Sequence, residues 1–181
     1  MGSYLLGYDL RSTADSAWAD WDSAERRAQY LLRSDVPQPL SVNTDVWPSL
    51  GKRWADFVPH PDEIELPEDP AHAIIAVTIE TSSRSELPTE WADLPDAPDV
   101  SAWRFLGYDI VGSFLVAGIS NCGYSPGEKD TIDSELLSSI NGRHFVTTLE
   151  AGRRFCEISN ARVSEHAPFL VMAVYLVDGY V

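Results

Sequence analysis

The last apolar segment of the chain, Ala167–Val177 (APFLVMAVYLV), constrains the fold more than any other feature. It is only 11 residues long, whereas a membrane-spanning helix needs about 20 apolar residues. It is also too uniformly apolar for a strand with one face in water, so we expect a strand buried on both faces. Ala73–Thr81 (AIIAVTIET) is short, continuous and β-branched in the same way. The sequence therefore predicts a sheet built around these two strands.

The remaining periodic segments complete an α+β pattern. Two further strands are predicted at Ser3–Leu10 and Trp103–Tyr108. Apolar residues three and four positions apart predict helices at Ala14–Arg33, Ile110–Ile119, Asp130–Ile140 and Leu149–Ser159. A chain of 181 residues is most simply one domain. We expect residues 1–181 to form a single α+β domain, with a four- to five-stranded mixed or antiparallel sheet and helices packed mainly on one face.

One short sequence occurs twice. Leu6-Gly7-Tyr8-Asp9 and Leu106-Gly107-Tyr108-Asp109 are identical, and each is followed by an aliphatic residue. A duplicated structural unit would explain the repeat, and so would the separate use of Asp to cap a helix that follows a strand. The flanking sequences hardly match, so we expect coincidence or local chemistry.

Negative charge is the most unusual property of the composition. The chain has 28 acidic and 13 basic residues, a net charge of −15. Many acids lie in two Pro-rich loops, predicted at 58–72 and 86–100. Such a surface disfavours direct binding of nucleic acid, which needs clustered Lys and Arg, and favours a basic protein partner. The alternative is that the charge serves only solubility.

The candidate partner-binding residues are the acids of these loops together with one tryptophan, since interfaces favour aromatic anchors ringed by polar groups. The set is Asp62, Glu63, Glu65, Glu68, Asp69, Glu86, Glu90, Trp91, Asp93 and Asp96. The alternative for the tryptophan is that it pins its loop onto the core.

The sequence contains none of the common catalytic or phosphate-binding motifs. The weak catalytic candidates are Cys122 with His144 or His166, because a neighbouring base activates a thiol. Their spacing is uninformative, and an incidental thiol is the simpler interpretation. We expect no cofactor and no metal, because no pair of histidines has ligand spacing.

These observations favour a cytoplasmic, acidic protein-binding module. No export signal or membrane span is predicted, which suits reduced cysteines in a cytoplasm. In size, acidity and lack of catalytic motifs the chain is similar to immunity or inhibitor proteins that neutralise a basic toxin, nuclease or DNA-binding protein. The alternatives are a small enzyme that uses Cys122 and a structural or homo-oligomeric subunit without activity.

Overall fold

The computed structural model of the protein describes residues 2–12, 57–65, 72–112, 136, 138–141, 145–162, 164 and 167–177. The predicted helix Ala14–Arg33 lies outside these residues, as do most of the predicted helices Ile110–Ile119 and Asp130–Ile140. In the part of the chain that is described, no helix is both long and apolar enough to span a membrane.

In the described part of the chain, four antiparallel strands form a sheet in the order β1-β2-β4-β3. Their bounds are Gly2–Ser12 (β1), His72–Thr81 (β2), Arg104–Val111 (β3) and Leu170–Leu176 (β4). The two most apolar segments of the sequence are thus the two central strands, as predicted. Because both faces of β2 and β4 are covered, neither strand needs the alternation of polar and apolar residues that marks a half-exposed strand.

The helix α1 (Leu149–Arg162) packs against β3 and β4, which confirms the predicted α+β architecture. Thr148 begins it, since its hydroxyl accepts a hydrogen bond from the Ala151 N–H at 3.2 Å. Phe155 of α1 is fully buried against Ile110 and Val171. Burial of such a side chain contributes about 1.5–3 kcal/mol.

The opposite face of the sheet carries a second core. Val77 and Val174 project into it, and Trp91, from the 3₁₀ helix Thr89–Trp91, covers them. The loop between β2 and β3 therefore closes this face.

The two copies of the Leu-Gly-Tyr-Asp sequence occupy equivalent places in the sheet. Gly7 pairs with Val77, Gly107 pairs with Val174, and these two valines pair with each other. In both β1 and β3 the register shifts immediately before the glycine. The pairing thus has an approximate two-fold axis through the Val77–Val174 pair, which exchanges β1 and β2 for β3 and β4.

A Phe-Val pair follows each copy and closes the outer edge of its strand. Tyr8 exchanges two backbone hydrogen bonds with Val58, at 2.9 and 3.0 Å, and Tyr108 exchanges two with Val146, at 2.7 and 2.8 Å. Phe57 and Phe145 precede these valines.

Both glycines are required by this geometry. Gly7 and Gly107 have φ values of +144° and +142°, a region that favours glycine. A Cβ atom at Gly7 would lie 2.9 Å from the Phe57 Cβ atom, and one at Gly107 would collide with the Phe145 Cβ atom. The repeated glycine therefore admits the Phe-Val segment against each strand.

Two sequence-based expectations are wrong here. β3 continues to Val111, so the start of the predicted helix Ile110–Ile119 is a strand. Asp9 and Asp109 lie within strands, opposite Ile75 and Met172, and do not cap helices. The shared register, bulge and Phe-Val contact favour a duplicated unit over the coincidence that we expected.

Candidate functional site

The two acidic loops meet at the same edge of the sheet. β1 is an outermost strand, and Val58 of the first loop pairs with Tyr8 on its outer side. The second loop pairs with the same side near the start of the strand, where Tyr4 forms a bridge with Asp96. Tyr4 and Tyr8 are four residues apart, or about 13 Å at 3.3 Å per residue. The loops therefore lie end to end along β1.

We call the exposed carboxylates of these two loops the acidic edge. Its members are Asp62, Glu63, Glu65, Asp93, Asp96 and Asp99. All six belong to the predicted loops at 58–72 and 86–100, which are separated in the chain by β2 but are adjacent along β1. The carboxylates are exposed, so their fields extend into solvent and are screened by salt over about 10 Å at 0.1 M.

Arg84 holds the second loop in place. Its Nη1 atom donates to the carbonyl oxygens of Ala92 and Leu94, at 2.9 and 2.6 Å. Its Nη2 atom lies 2.9 Å from the Asp96 Oδ1 atom. Its guanidinium also stacks over the Tyr4 ring, 4.3 Å from the centroid. The ion pair of Arg84 with Asp96 is exposed, so it contributes little to the free energy of unfolding. Its main role is to hold residues 92–96 against the start of β1.

Glu86 has a local structural role. Its Oε2 atom accepts hydrogen bonds from the Thr81 hydroxyl at 2.6 Å and from the Ser82 N–H at 3.0 Å. These hydrogen bonds favour the charged form and lower the pKa of Glu86 below its usual value. Glu86 therefore fixes the turn that follows β2, although it is exposed and adds negative charge.

The structure corrects the assignment of Trp91 as a contact residue. Its side chain is fully buried in the core with Leu87 and Val77, so a partner has no access to it. The tryptophan instead anchors the loop, which was the alternative interpretation. The large apolar area of the indole ring makes this burial favourable.

Asp99 is a residue that the candidate set left out. Its Oδ1 atom accepts a hydrogen bond from the Ser101 N–H at 2.9 Å, and this bond lowers the pKa of Asp99. The Asp-x-Ser spacing is typical of a side chain that mimics a backbone turn. This spacing is the sequence feature from which the local role of Asp99 could have been predicted.

The other candidates fall outside what is described. Glu68 and Asp69 lie outside the described residues, and so does the side chain of Glu90, although its backbone is in the 3₁₀ helix Thr89–Trp91. Cys122, His144 and His166 also lie outside them. Their predicted roles stay predictions.

The described cysteine belongs to the hydrophobic core. Cys156 of α1 is buried, and loss of solvation raises the pKa of its thiol to about 12. Within the described ranges, no three His, Cys, Asp or Glu side chains are grouped as metal ligands would be. A depression of about 530 Å³ beside α1 is lined by Leu149 and by two acidic and two basic side chains, Glu150, Arg153, Arg154 and Glu157. This lining contains no thiol or imidazole.

A second surface feature lies on one face of the sheet, over β3 and β4, and was not foreseen. Phe105 of β3 is 42% exposed, and it is the exposed large hydrophobic side chain of the described residues. Its ring contacts those of Tyr108 and Tyr175, with centroids 4.8 and 5.5 Å apart. Trp103 extends this group by contacting Tyr175 at 6.0 Å. We call these four residues the aromatic group.

Among the described residues, Glu80 is the carboxylate whose charge acts on two tyrosines of the aromatic group. Glu80 of β2 accepts hydrogen bonds from the Ser3 and Thr78 hydroxyls at 2.7 and 2.8 Å. Burial raises the pKa values of Tyr108 and Tyr175, and the negative charge of Glu80 raises them further. Both phenols are therefore neutral at pH 7, and each presents an apolar ring with a hydroxyl group that can form hydrogen bonds.

Comparisons with known proteins add no constraint. No protein-family model matches the chain, and no curated protein or solved structure matches it either. The candidate sites therefore depend on the residues and geometry described above.

Proposed function

We propose that this protein is an acidic, cytoplasmic binding module of the immunity or inhibitor type, which neutralises a basic toxin, nuclease or DNA-binding protein by binding it along the acidic edge. The observation that supports the proposal is the convergence of two separate acidic loops on the outer side of β1. Complementary charge steers a cationic partner to such a surface and fixes its orientation.

The surface is also held in a defined shape. Val58 and Pro95–Ala97 are bound to β1 through the backbone, and Arg84 and Trp91 fix the second loop from outside and from the core. A pre-formed array of carboxylates loses little conformational entropy on binding, because its supporting loops are already ordered.

Affinity capture from the native host tests the proposal. The bait is the full chain, and capture is compared at about 50 mM and 500 mM salt, because exposed charges are screened over a shorter distance as salt rises. We expect a basic protein to be retained at low salt and released at high salt. Retention of the same protein at both salt concentrations would contradict the proposal.

A pair of matched variants locates the surface. Glu63→Gln with Asp93→Asn removes one charge from each loop, whereas Glu150→Gln with Glu157→Gln removes two exposed charges from α1. Both variants change the net charge equally. The first is expected to weaken capture by about tenfold or more, since interfacial charges contribute 1–2 kcal/mol, and the second by much less. Equal effects would mean that only the total charge matters.

A further inference from the structure

The aromatic group and Glu80 share a small area on one face of the sheet. Phe105 of β3 pairs with Tyr175 of β4, and Tyr108 and Thr78 pair with the same residue of β4 from its two sides. Paired residues project to the same face, and residues two apart in a strand do so as well, so Glu80 lies on this face with Thr78. Strands β2, β3 and β4 therefore all contribute side chains to this area.

The polar groups of this area converge on Glu80. The Ser3 and Thr78 hydroxyls donate to its Oε1 atom at 2.7 and 2.8 Å. The described residues donate no hydrogen bond to its Oε2 atom, and the side chain is half-buried rather than enclosed. Its charge is close enough to the Tyr108 and Tyr175 hydroxyls to raise both of their pKa values. A carboxylate oxygen that can accept further hydrogen bonds thus lies near two phenol hydroxyls.

An aromatic platform lies beside these polar groups. The Phe105 ring is 42% exposed, and its contacts with Tyr108 and Tyr175, at centroid distances of 4.8 and 5.5 Å, hold it in position. Trp103 extends the platform by contacting Tyr175 at 6.0 Å and Tyr8 at 5.8 Å. The exposed side of Phe105 is therefore a fixed apolar surface that adjoins the two tyrosines.

The charges of this area do not favour an ionic ligand. Glu80 raises the pKa of Tyr108 and Arg153 of α1 lowers it, so charges of opposite sign act on the same place. Such a balance gives a net attraction to neither an anion nor a cation. An apolar ligand would remove water from the Glu80 carboxylate without replacing its hydrogen bonds, which is costly. A neutral ring molecule with several hydroxyl groups avoids both costs, because its hydroxyls donate to the carboxylate while its C–H face packs on an aromatic ring.

We propose that this face of the sheet binds a neutral sugar ring, which packs against Phe105 and forms hydrogen bonds with the Glu80 Oε2 atom and with the hydroxyls of the two tyrosines. Small-molecule sites combine aromatic side chains with a few fixed polar groups, and both are present here. Ser3 and Thr78 already hold the carboxylate, so little side-chain entropy is lost when a ligand binds it. The inference does not depend on the acidic edge, because none of the residues of that edge belongs to this site.

Titration of the ¹⁵N-labelled full chain with neutral disaccharides tests the inference. The probes are maltose, cellobiose and N,N′-diacetylchitobiose. The controls are sorbitol, which has the hydroxyl groups but no ring, and cyclohexanol, which has a ring but a single hydroxyl group. We expect at least one probe to shift the amide signals of Arg104–Leu106 and Val174–Leu176, and to bind at least about tenfold more tightly than either control. No shift with any probe at about 50 mM, or equal binding of a control, would overturn the inference.

Matched variants assign the contacts, and the ¹⁵N spectrum of each variant shows whether its fold is retained. Phe105→Ala removes the exposed ring and should weaken the tightest probe about tenfold, as loss of an aromatic anchor does. Glu80→Gln removes the charged acceptor and should weaken it about threefold to tenfold, whereas Glu63→Gln, the same change on the acidic edge, should leave its affinity unchanged. Full affinity in Phe105→Ala, or equal effects of the two Gln variants, would refute the site. Shifts confined to residues 57–65 and 93–99 would also refute it, because they would place the sugar on the acidic edge.

Discussion

The β1 and β3 halves of the sheet share a framework but present different surfaces. Each has the Leu-Gly-Tyr-Asp sequence at a register shift, and each has a Phe-Val segment bridged to the tyrosine. Around β1 the additional chain is acidic and bound to the edge. Around β3 it is a helix on one face, with an aromatic ring left exposed. The comparison shows that the repeated motif builds the edge of the sheet, while the segments outside the motif determine which surface each edge presents.

The largest expected effect concerns the glycines that the halves share. Gly107→Ala and Gly7→Ala should each destabilise the protein by about 2–4 kcal/mol, because a Cβ atom meets the Phe-Val segment and the positive φ is strained. Urea-induced unfolding of the two variants measures this. Gly107→Ala should cost more, since its Cβ atom would make the closer contact.

The two glycine variants test the equivalence directly. A variant of either glycine that unfolds at the wild-type urea concentration would show that its Phe-Val segment is not held against the strand. If only one glycine is sensitive, the two-fold relation fails.

Loss of Arg84, beside β1, should destabilise the protein more than loss of Arg104 on β3. Arg84→Ala removes the hydrogen bonds to Ala92 and Leu94 and the contact with Asp96, and it should cost about 1 kcal/mol because the group is 42% exposed. The Leu5 amide should then exchange its hydrogen faster.

Arg104→Ala is the matched control for this effect. Arg104 is exposed on β3, at the position equivalent to that of Tyr4 on β1. Its loss should change the free energy of unfolding by less than about 0.5 kcal/mol. Equal costs for the two arginines would mean that Arg84 does not fasten the loop to β1.

The smallest expected effect is the pH dependence that Glu86, in the loop beside β1, gives to the free energy of unfolding. The pKa of Glu86 is lowered from its usual 4.5 in the folded protein, so its contribution to stability is present above that value and is lost as the pH falls through the folded pKa. Wild type should therefore exceed Glu86→Gln in stability at pH 7, and the difference should shrink below about pH 4.5.

A second variant checks the cause of this dependence. Thr81→Val removes the hydroxyl that donates to Glu86 and should reduce the same pH dependence in chemical unfolding. An unchanged pH profile in both variants would refute the role of this hydrogen bond.

The strands were largely predictable from the sequence, and the reason is burial. β2 and β4 are apolar on both faces, so composition alone places them at the centre of the sheet. The apolar run after Tyr108 is ambiguous, because short runs suit either a strand or a helix. Ile110 and Val111 are strand residues because they pair with Val171 and Leu170, the first residues of β4. Such pairing requires knowledge of distant segments.

The candidate site was predictable only in its composition. The acids of the two loops were evident, but their meeting depends on backbone bridges to Tyr4 and Tyr8 that no local pattern encodes. Trp91 is buried, and Phe105 is exposed, although both are large aromatic residues. Residue type predicts a similar degree of burial for the two side chains, and only the packing around each one determines which is exposed.

Hydrogen exchange of the full chain, free and bound to its captured basic partner, tests the proposed function most directly. The account predicts slower exchange on binding for backbone amides within residues 57–65 and 93–99, with little change along α1. Protection confined to α1, with the two acidic loops exchanging as they do in the free protein, would contradict it.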